Sequence, residues 1–252
     1  MKSKLILLSI LLISLFSCVK KDDPTPPSAP LGTSKITFEN FVGNQPLVLS
    51  SAWYTNANGD SFNVTTYKYY ITNIKLTKAD GSVYTETESY HLINEADASS
   101  KFFVMGNIPE GNYTSISFLI GVDSTRNTTG AQTGALDPIN GMFWTWNSGY
   151  IMAKLEGTSP QSSASGKSII YHVGGFSGAS SVIRSATLTF PTTLVVKSGT
   201  TPNIHIDGDV AEWFGFPNVI EFSKKPVLMT LGKDLVNLAD NYQDMFRVSH
   251  ID

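Results

Sequence analysis

Thr66-Tyr-Lys-Tyr-Tyr-Ile-Thr-Asn-Ile-Lys-Leu76 alternates apolar with polar side chains, and the run stops at Asp80-Gly81, a strong turn signal. A period of two sends successive side chains to opposite faces, so the stretch reads as a strand with one face in a core. The habit recurs on both sides of it. From Ile36 onward alternation dominates: residues 112–120 end at Gly121, 149–157 are bounded by glycines, and 168–173, 186–190, 193–196, 203–206 and 227–230 follow. One segment has helical spacing instead. Leu235, Leu238, Ala239, Tyr242, Met245 and Phe246 share a face, with Asp234 ahead of them as N-cap or first-turn acid. A shorter helix fits 209–213. Many short strands separated by turn signals imply an all-β fold, an antiparallel β-sandwich with one or two short helices near the C-terminus. With no internal repeat and no second shift of composition, residues 34–252 read as one domain.

Composition excludes several classes. Of 252 residues 41% are hydrophobic and 15% charged, too apolar for a disordered chain and too weakly charged for a coiled coil. Eighteen basic residues against 21 acidic ones leave a net charge of −3 and no basic run beyond the leader, which argues against nucleic-acid binding. Cys18 is the single cysteine, so an internal disulfide and Cys-based zinc or iron–sulfur sites are out.

The leader gives that cysteine a role. Met1-Lys-Ser-Lys4 precedes an apolar run from Leu5 to Phe16, which as a helix rises about 18 Å, short of the roughly 30 Å hydrocarbon core. A basic head and a short apolar stretch make a secretory signal peptide. Leu15-Phe16-Ser17-Cys18 resembles the lipobox of bacterial lipoproteins, in which cleavage leaves the cysteine as an acylated N-terminus. The expected organisation is a signal peptide over 1–17, a lipidated tether over 18–33 and the folded domain after it. Pro24-Thr-Pro-Pro-Ser-Ala-Pro30 suits a semi-rigid tether. Lys20-Lys-Asp-Asp23 resembles the export signal of Bacteroidetes surface lipoproteins, the alternative being a solvated linker. The expected location is the cell envelope, lipid-anchored to the outer membrane. Cleavage removes Lys2 and Lys4, which takes the 18 basic residues to 16 against 21 acidic, a balance of −5.

Common catalytic signatures are missing, and no nucleophile, base and acid can be named as a set, so the chain does not read as an enzyme. Gly166-Lys-Ser168 ends like a phosphate-binding loop, but Gln161 stands where that loop needs glycine. Gly175-Phe-Ser-Gly178 has the wrong spacing for a nucleophile elbow. Asp207-Gly-Asp209 with Glu212 falls short of an EF-hand and reads as a turn into a helix. The histidines carry more. His91, His172 and His205 lie in or beside apolar stretches, and His250 sits near the C-terminus. Neutral imidazole suits copper, zinc or iron where thiolate is lacking, and strands of a sandwich can bring such ligands together. Isolated, hydrogen-bonded histidines are the plainer alternative. Asp123 or Asp137 could accept the second ring N–H of a ligand imidazole. Trp144 and Trp146, with Phe143 and Tyr150 between Gly141 and Gly149, either cover an edge of the core or form an oxidisable pair or stacking platform.

Several longer motifs point to a family. Gly121-Val-Asp-Ser-Thr-Arg-Asn127, Gly134-Ala-Leu-Asp-Pro138 and Gly141-Met-Phe-Trp-Thr-Trp-Asn-Ser-Gly-Tyr150 resemble the MbnP-like family. So do Tyr67-Lys-Tyr-Tyr-Ile-Thr-Asn-Ile74, Tyr171-His-Val-Gly-Gly175 and Leu238-Ala-Asp-Asn-Tyr242. The resemblance runs from about Ile36 to Ile251. It implies a copper-binding protein of the periplasm or surface, found beside di-haem cytochrome c peroxidase-like enzymes. In some members a tryptophan is oxidised to kynurenine and helps histidines hold copper. Carried onto this chain, it implies His91, His172, His205 and His250 as ligands and Trp144 or Trp146 as the oxidised residue. The function so implied is an envelope lipoprotein that handles copper. A surface module that binds a glycan or protein through exposed Trp53, Trp144 or Trp213 is the alternative.

Overall fold

A computed structural model describes residues 30–130, 132–144 and 149–252. Cys18 and Trp146, with the leader and most of the tether, lie outside the described residues. In chain order the strands are β1 (Leu31–Val42), β2 (Gln45–Pro46), β3 (Tyr54–Thr55), β4 (Ser61–Lys78), β5 (Val83–Thr85), β6 (Tyr90–Asn94) and β7 (Phe102–Pro109). The helix α1 (Ser124–Thr128) follows β8 (Gly111–Ile120). Then come β9 (Ile151–Thr158), β10 (Ser168–Gly174), β11 (Arg184–Val196), β12 (Asn203–Asp209), β13 (Val227–Leu228), α2 (Lys233–Tyr242) and β14 (Phe246–Ile251). Among the described residues no helix is long and apolar enough to cross a membrane.

The strands form two sheets. The smaller runs β14-β12-β1-β2, with β7 also on β1; the larger runs β11-β8-β4-β9-β10-β13, with β3, β5 and β6 also on β4. This is the all-β sandwich expected from alternation, with one refinement. β1 pairs with β12 in parallel from Lys35↔Asn203 to Phe41↔Asp209, and β10 with β13 is parallel too. Alternation encodes which face a residue takes and is silent on the direction of its neighbour, so these pairings could not be read from the sequence.

The core follows from the same alternation. Tyr67 and Tyr69 on β4 face the smaller sheet, where Phe38 and Phe246 meet Tyr69, and Phe118 of β8 joins them from the larger sheet, at centroid distances of 5.4–6.3 Å. Tyr70 points the other way and is buried as well, because Ala135 and Tyr150 cover that face: its hydroxyl donates to the Ala135 carbonyl and its ring meets Tyr150 edge-on at 5.8 Å. Both faces of β4 are therefore dry at this point. The cover is held by three further hydrogen bonds. Lys68 and Lys154 donate to the carbonyls of Asn140 and Gly141, and Asn127 accepts from the Tyr150 amide at 2.8 Å.

The helical reading holds for Leu235, Leu238, Ala239 and Tyr242, all buried on α2, with Asp234 in its first turn and Gly232 as N-cap. The helix stops before Met245 and Phe246, which the sequence pattern had placed on the same face. Phe246 instead opens β14, paired with Gly208, because its ring belongs to the aromatic cluster around Phe38. The short helix near 209–213 is a 3-10 turn at Val210–Phe214, capped by the Asp209 carboxylate on the Ala211 amide.

Candidate metal centre

The fold separates the four histidines into three places. His91 lies on β6, stacked on Phe103 of β7 at a centroid distance of 3.4 Å, with its Nε2 2.9 Å from Glu86 Oε2. His172 lies on β10 in register with Lys154, its Nε2 2.6 Å from Glu156 Oε1. Thr66 donates to the other oxygen of Glu156 at 3.2 Å. Burial, joined by the charge of Lys154, pulls the His172 pKa below its ordinary value although the hydrogen bond and charge of Glu156 raise it. Burial alone would raise Glu156, but the hydrogen bond and charge of His172, with Lys154, hold it low. Both directions agree with a neutral imidazole donating Nε2–H to a carboxylate, which leaves the lone pair on Nδ1.

His205 and His250 are brought together. They are register partners on β12 and β14, and their rings stack at 4.0 Å and 14°. The ladder then shifts, since Ile206 faces Val248, so Ser249 is the extra residue of a bulge. Bulges bend a strand and re-aim the side chain beside them. Asp252 joins the pair: its Oδ1 is 3.4 Å from His205 Nε2. Among the described residues this is the group of three or more His, Cys, Asp or Glu side chains able to share an ion, with donor atoms within 4.8 Å of one another. Asn203 Nδ2 lies 2.6 Å from His205 Nε2, and Thr37 donates to Asn203 Oδ1 at 3.0 Å. With Asn203 donating, Nε2 carries the lone pair. The other ring nitrogen, Nδ1, is buried with no hydrogen-bond partner. Two imidazoles and a carboxylate form a donor set suited to copper or zinc.

The aspartates expected to orient imidazoles do other work. Asp123 caps α1 through the Arg126 amide and accepts from Tyr90 Oη at 2.6 Å. Asp137 caps the turn at Pro138–Asn140 through the Ile139 amide. The carboxylates that do meet imidazoles are Glu86, Glu156 and Asp252, none of them singled out by the sequence pattern. For Glu156 no sequence signal existed, because its distance from His172 depends on the β9–β10 register. Asn203 and His205 stand two apart on one strand, a spacing that shares a face and could have been read.

The tryptophans sort by burial. Trp144 is 3% exposed and packs over Gly174, where an added Cβ would meet its ring at 2.5 Å. Trp213 is fully buried against Tyr67 and Tyr242. Neither can serve as the exposed contact surface expected of it. Trp53, 55% exposed beside a recess lined by Val42, Gln45, Tyr54 and Thr55, can.

Comparison with known proteins agrees with this architecture. The solved structure of MbnP from Methylosinus trichosporium superposes with a TM-score of 0.52, covering 77% of this chain and 80% of that one. At 13% sequence identity the likeness speaks for the fold alone. No curated protein matches the chain. The sequence profile of the MbnP family matches residues 32–230, most of the folded chain, and the chain therefore belongs to the MbnP family.

Proposed function

We propose that this protein is a non-enzymatic lipoprotein of the cell envelope that binds copper through histidine. The observation that carries the reading is the meeting of His205 on β12 with His250 on β14 and Asp252 just beyond it. Membership of a family that the sequence resemblance associates with copper supports it. The anchor is acylated Cys18, followed by the proline-rich tether. The ligands are neutral imidazoles, first His205 and His250; His91 and His172 each sit on a glutamate and are candidates for separate, weaker contacts. Trp144 or Trp146 is the residue that a di-haem peroxidase-like partner would oxidise. The exposed Trp53 gives the alternative, a module that binds a glycan or protein, its one specific foothold.

Metal analysis of the full chain purified from copper-supplemented cells tests the reading, alongside His205→Ala. Near-stoichiometric copper that drops in the variant is the expected result. Copper at background level in the unsubstituted protein sinks it. Peptide mass spectra from cells that also make the haem partner should find kynurenine at Trp144 or Trp146, and intact tryptophan at both would remove that part.

A further inference from the structure

We infer that the recess beside Trp53 binds a neutral carbohydrate, with the indole as the platform for one pyranose ring. The inference rests on the second reading above, that exposed Trp53 is a contact surface, and assigns the class of ligand.

The platform is held in place before any ligand arrives. Trp53 stands in the loop between β2 and β3, and its side chain is left in solvent. The loop itself is pinned along its length. Leu47 N donates to the Asn40 carbonyl at 2.8 Å and Ser50 N to the Val64 carbonyl at 2.7 Å. The hydroxyl of buried Tyr54 accepts from the Val48 amide at 2.7 Å and donates to the Pro46 carbonyl at 2.9 Å. Asn63 Nδ2 donates to the Ala52 carbonyl at 2.7 Å. Among the described residues the Trp53 ring meets no other ring, and its N–H has no hydrogen-bond partner. A large apolar ring exposed on a fixed backbone binds with little loss of conformational entropy.

The ligand class follows from the lining. Val42, Gln45, Tyr54 and Thr55 complete the recess with Trp53. None of them is charged, and no charged side chain occurs from Gly43 to Gly59. Asp209, the carboxylate that reaches this loop, is taken up by the amides of Gly43 and Ala211. An ionic ligand would find no counter-charge in the recess. Gln45 and Thr55 are exposed, and their side chains have no partner among the described residues. With the indole N–H they offer both donors and acceptors. A wholly apolar partner would strip water from these groups and replace none of it. A sugar hydroxyl donates and accepts alike, and the C–H face of a pyranose suits the electron-rich face of an aromatic ring. Size agrees: the recess measures about 230 Å³, below the roughly 300–1,000 Å³ of drug-sized sites, which leaves room for a single ring.

Position suits a ligand on a long chain. β1 begins at Leu31, next to the tether, and ends at Val42 on the recess. Its 12 residues rise roughly 36 Å, so the recess lies at the end of the sheet remote from the proposed lipid anchor.

Calorimetric titration of the full chain, in buffer with EDTA, tests the inference. The probes are cellotetraose, mannotetraose and chitotetraose, with tetragalacturonate as the anionic comparison. At least one neutral sugar should bind and shift the tryptophan fluorescence, and tetragalacturonate should not. Affinity for that sugar should fall about tenfold or more in Trp53→Ala, and less in Trp53→Tyr, which keeps a ring. The side chain is exposed, so equal melting temperatures check that the fold is intact. Binding of none of these sugars, preference for the charged one, or equal affinity in Trp53→Ala would each overturn the inference. A photo-crosslinking p-benzoylphenylalanine in place of Thr55, used in cells, separates that failure from failure of the second reading. A discrete protein adduct that is lost in Trp53→Ala would overturn the sugar assignment and keep Trp53 as a contact surface. Neither adduct nor sugar binding would overturn both.

Discussion

Gly157 shows how tightly single positions are set in the larger sheet. A Cβ at this residue would stand 1.9 Å from the backbone oxygen of Asn63, on the strand β4 beside it. Backbone cannot rotate away as a side chain can, so overpacking here falls at the upper end of about 1–3 kcal/mol. Gly157→Ala should therefore lower the melting temperature by roughly 6–12 °C. Gly106→Ala, with nothing within 4 Å of the added carbon, should leave it unchanged. Equal melting of the two variants would contradict the packing described. His172 gives a second expectation at this scale. Its pKa lies below the ordinary 6.5, so the unfolded chain binds more protons than the folded one between the two values, and stability falls as pH drops below about 6.5. The depressed Glu156 adds its own loss at lower pH, as its carboxylate protonates through the folded pKa. Urea unfolding across pH 7 to 5 should show a shallower decline in His172→Gln than in the unsubstituted protein. Parallel declines would mean that the buried imidazole is not held neutral.

At the scale of elements, α2 is fixed to the loop beside it by one buried amide. Asn241 donates to the carbonyls of Trp213 and Asn218 and accepts from the Asn218 amide at 2.8 Å. Asn241→Ala leaves buried backbone groups without partners, each costing about 1–3 kcal/mol. A total loss near 3 kcal/mol is expected in denaturant unfolding, and a loss under about 1 kcal/mol would mean that water replaces the amide. Asn241 also marks where sequence reading stopped. The apolar face of α2 was legible from Leu235, Leu238, Ala239 and Tyr242, because helical spacing is local. Its end was not, because Phe246 is drawn off by Phe38, Tyr69 and Phe118, residues far away in the chain. Strand β4 behaves likewise. Its alternation was visible, yet Tyr69, Tyr70, Ile71 and Thr72 are buried in succession because a distant loop covers the second face. The candidate centre was half legible. His205 and His250 could be named as imidazoles, but their pairing depends on the β12–β14 register and on the bulge at Ser249. Asp252 had no local signal at all.

For the whole molecule, the first described strand and the last meet through a common neighbour: β1 and β14 both lie on β12. Closing the smaller sheet thus needs the β1–β12 ladder, whose partners, such as Lys35 and Asn203, stand 168 residues apart in sequence, contacts that form at high entropic cost. β14 depends on a six-residue ladder to β12 with a bulge in it, which makes it a candidate for local opening below the global free energy. An ion shared by His205 and His250, as proposed, would tie β14 to β12 at that bulge. Binding to the folded form alone stabilises it by about 2.7 kcal/mol at a hundred times the dissociation constant. If β14 opens locally, the gain must appear there first. Hydrogen exchange read by mass spectrometry should slow across residues 246–251 when Cu(II) is added, while buried amides of β4, already governed by global unfolding, change less. In His250→Ala the protection of 246–251 should be the same with and without Cu(II). Protection that spreads evenly over both sheets, or that persists in the variant, would place the bound ion elsewhere and separate copper binding from the closure of the smaller sheet.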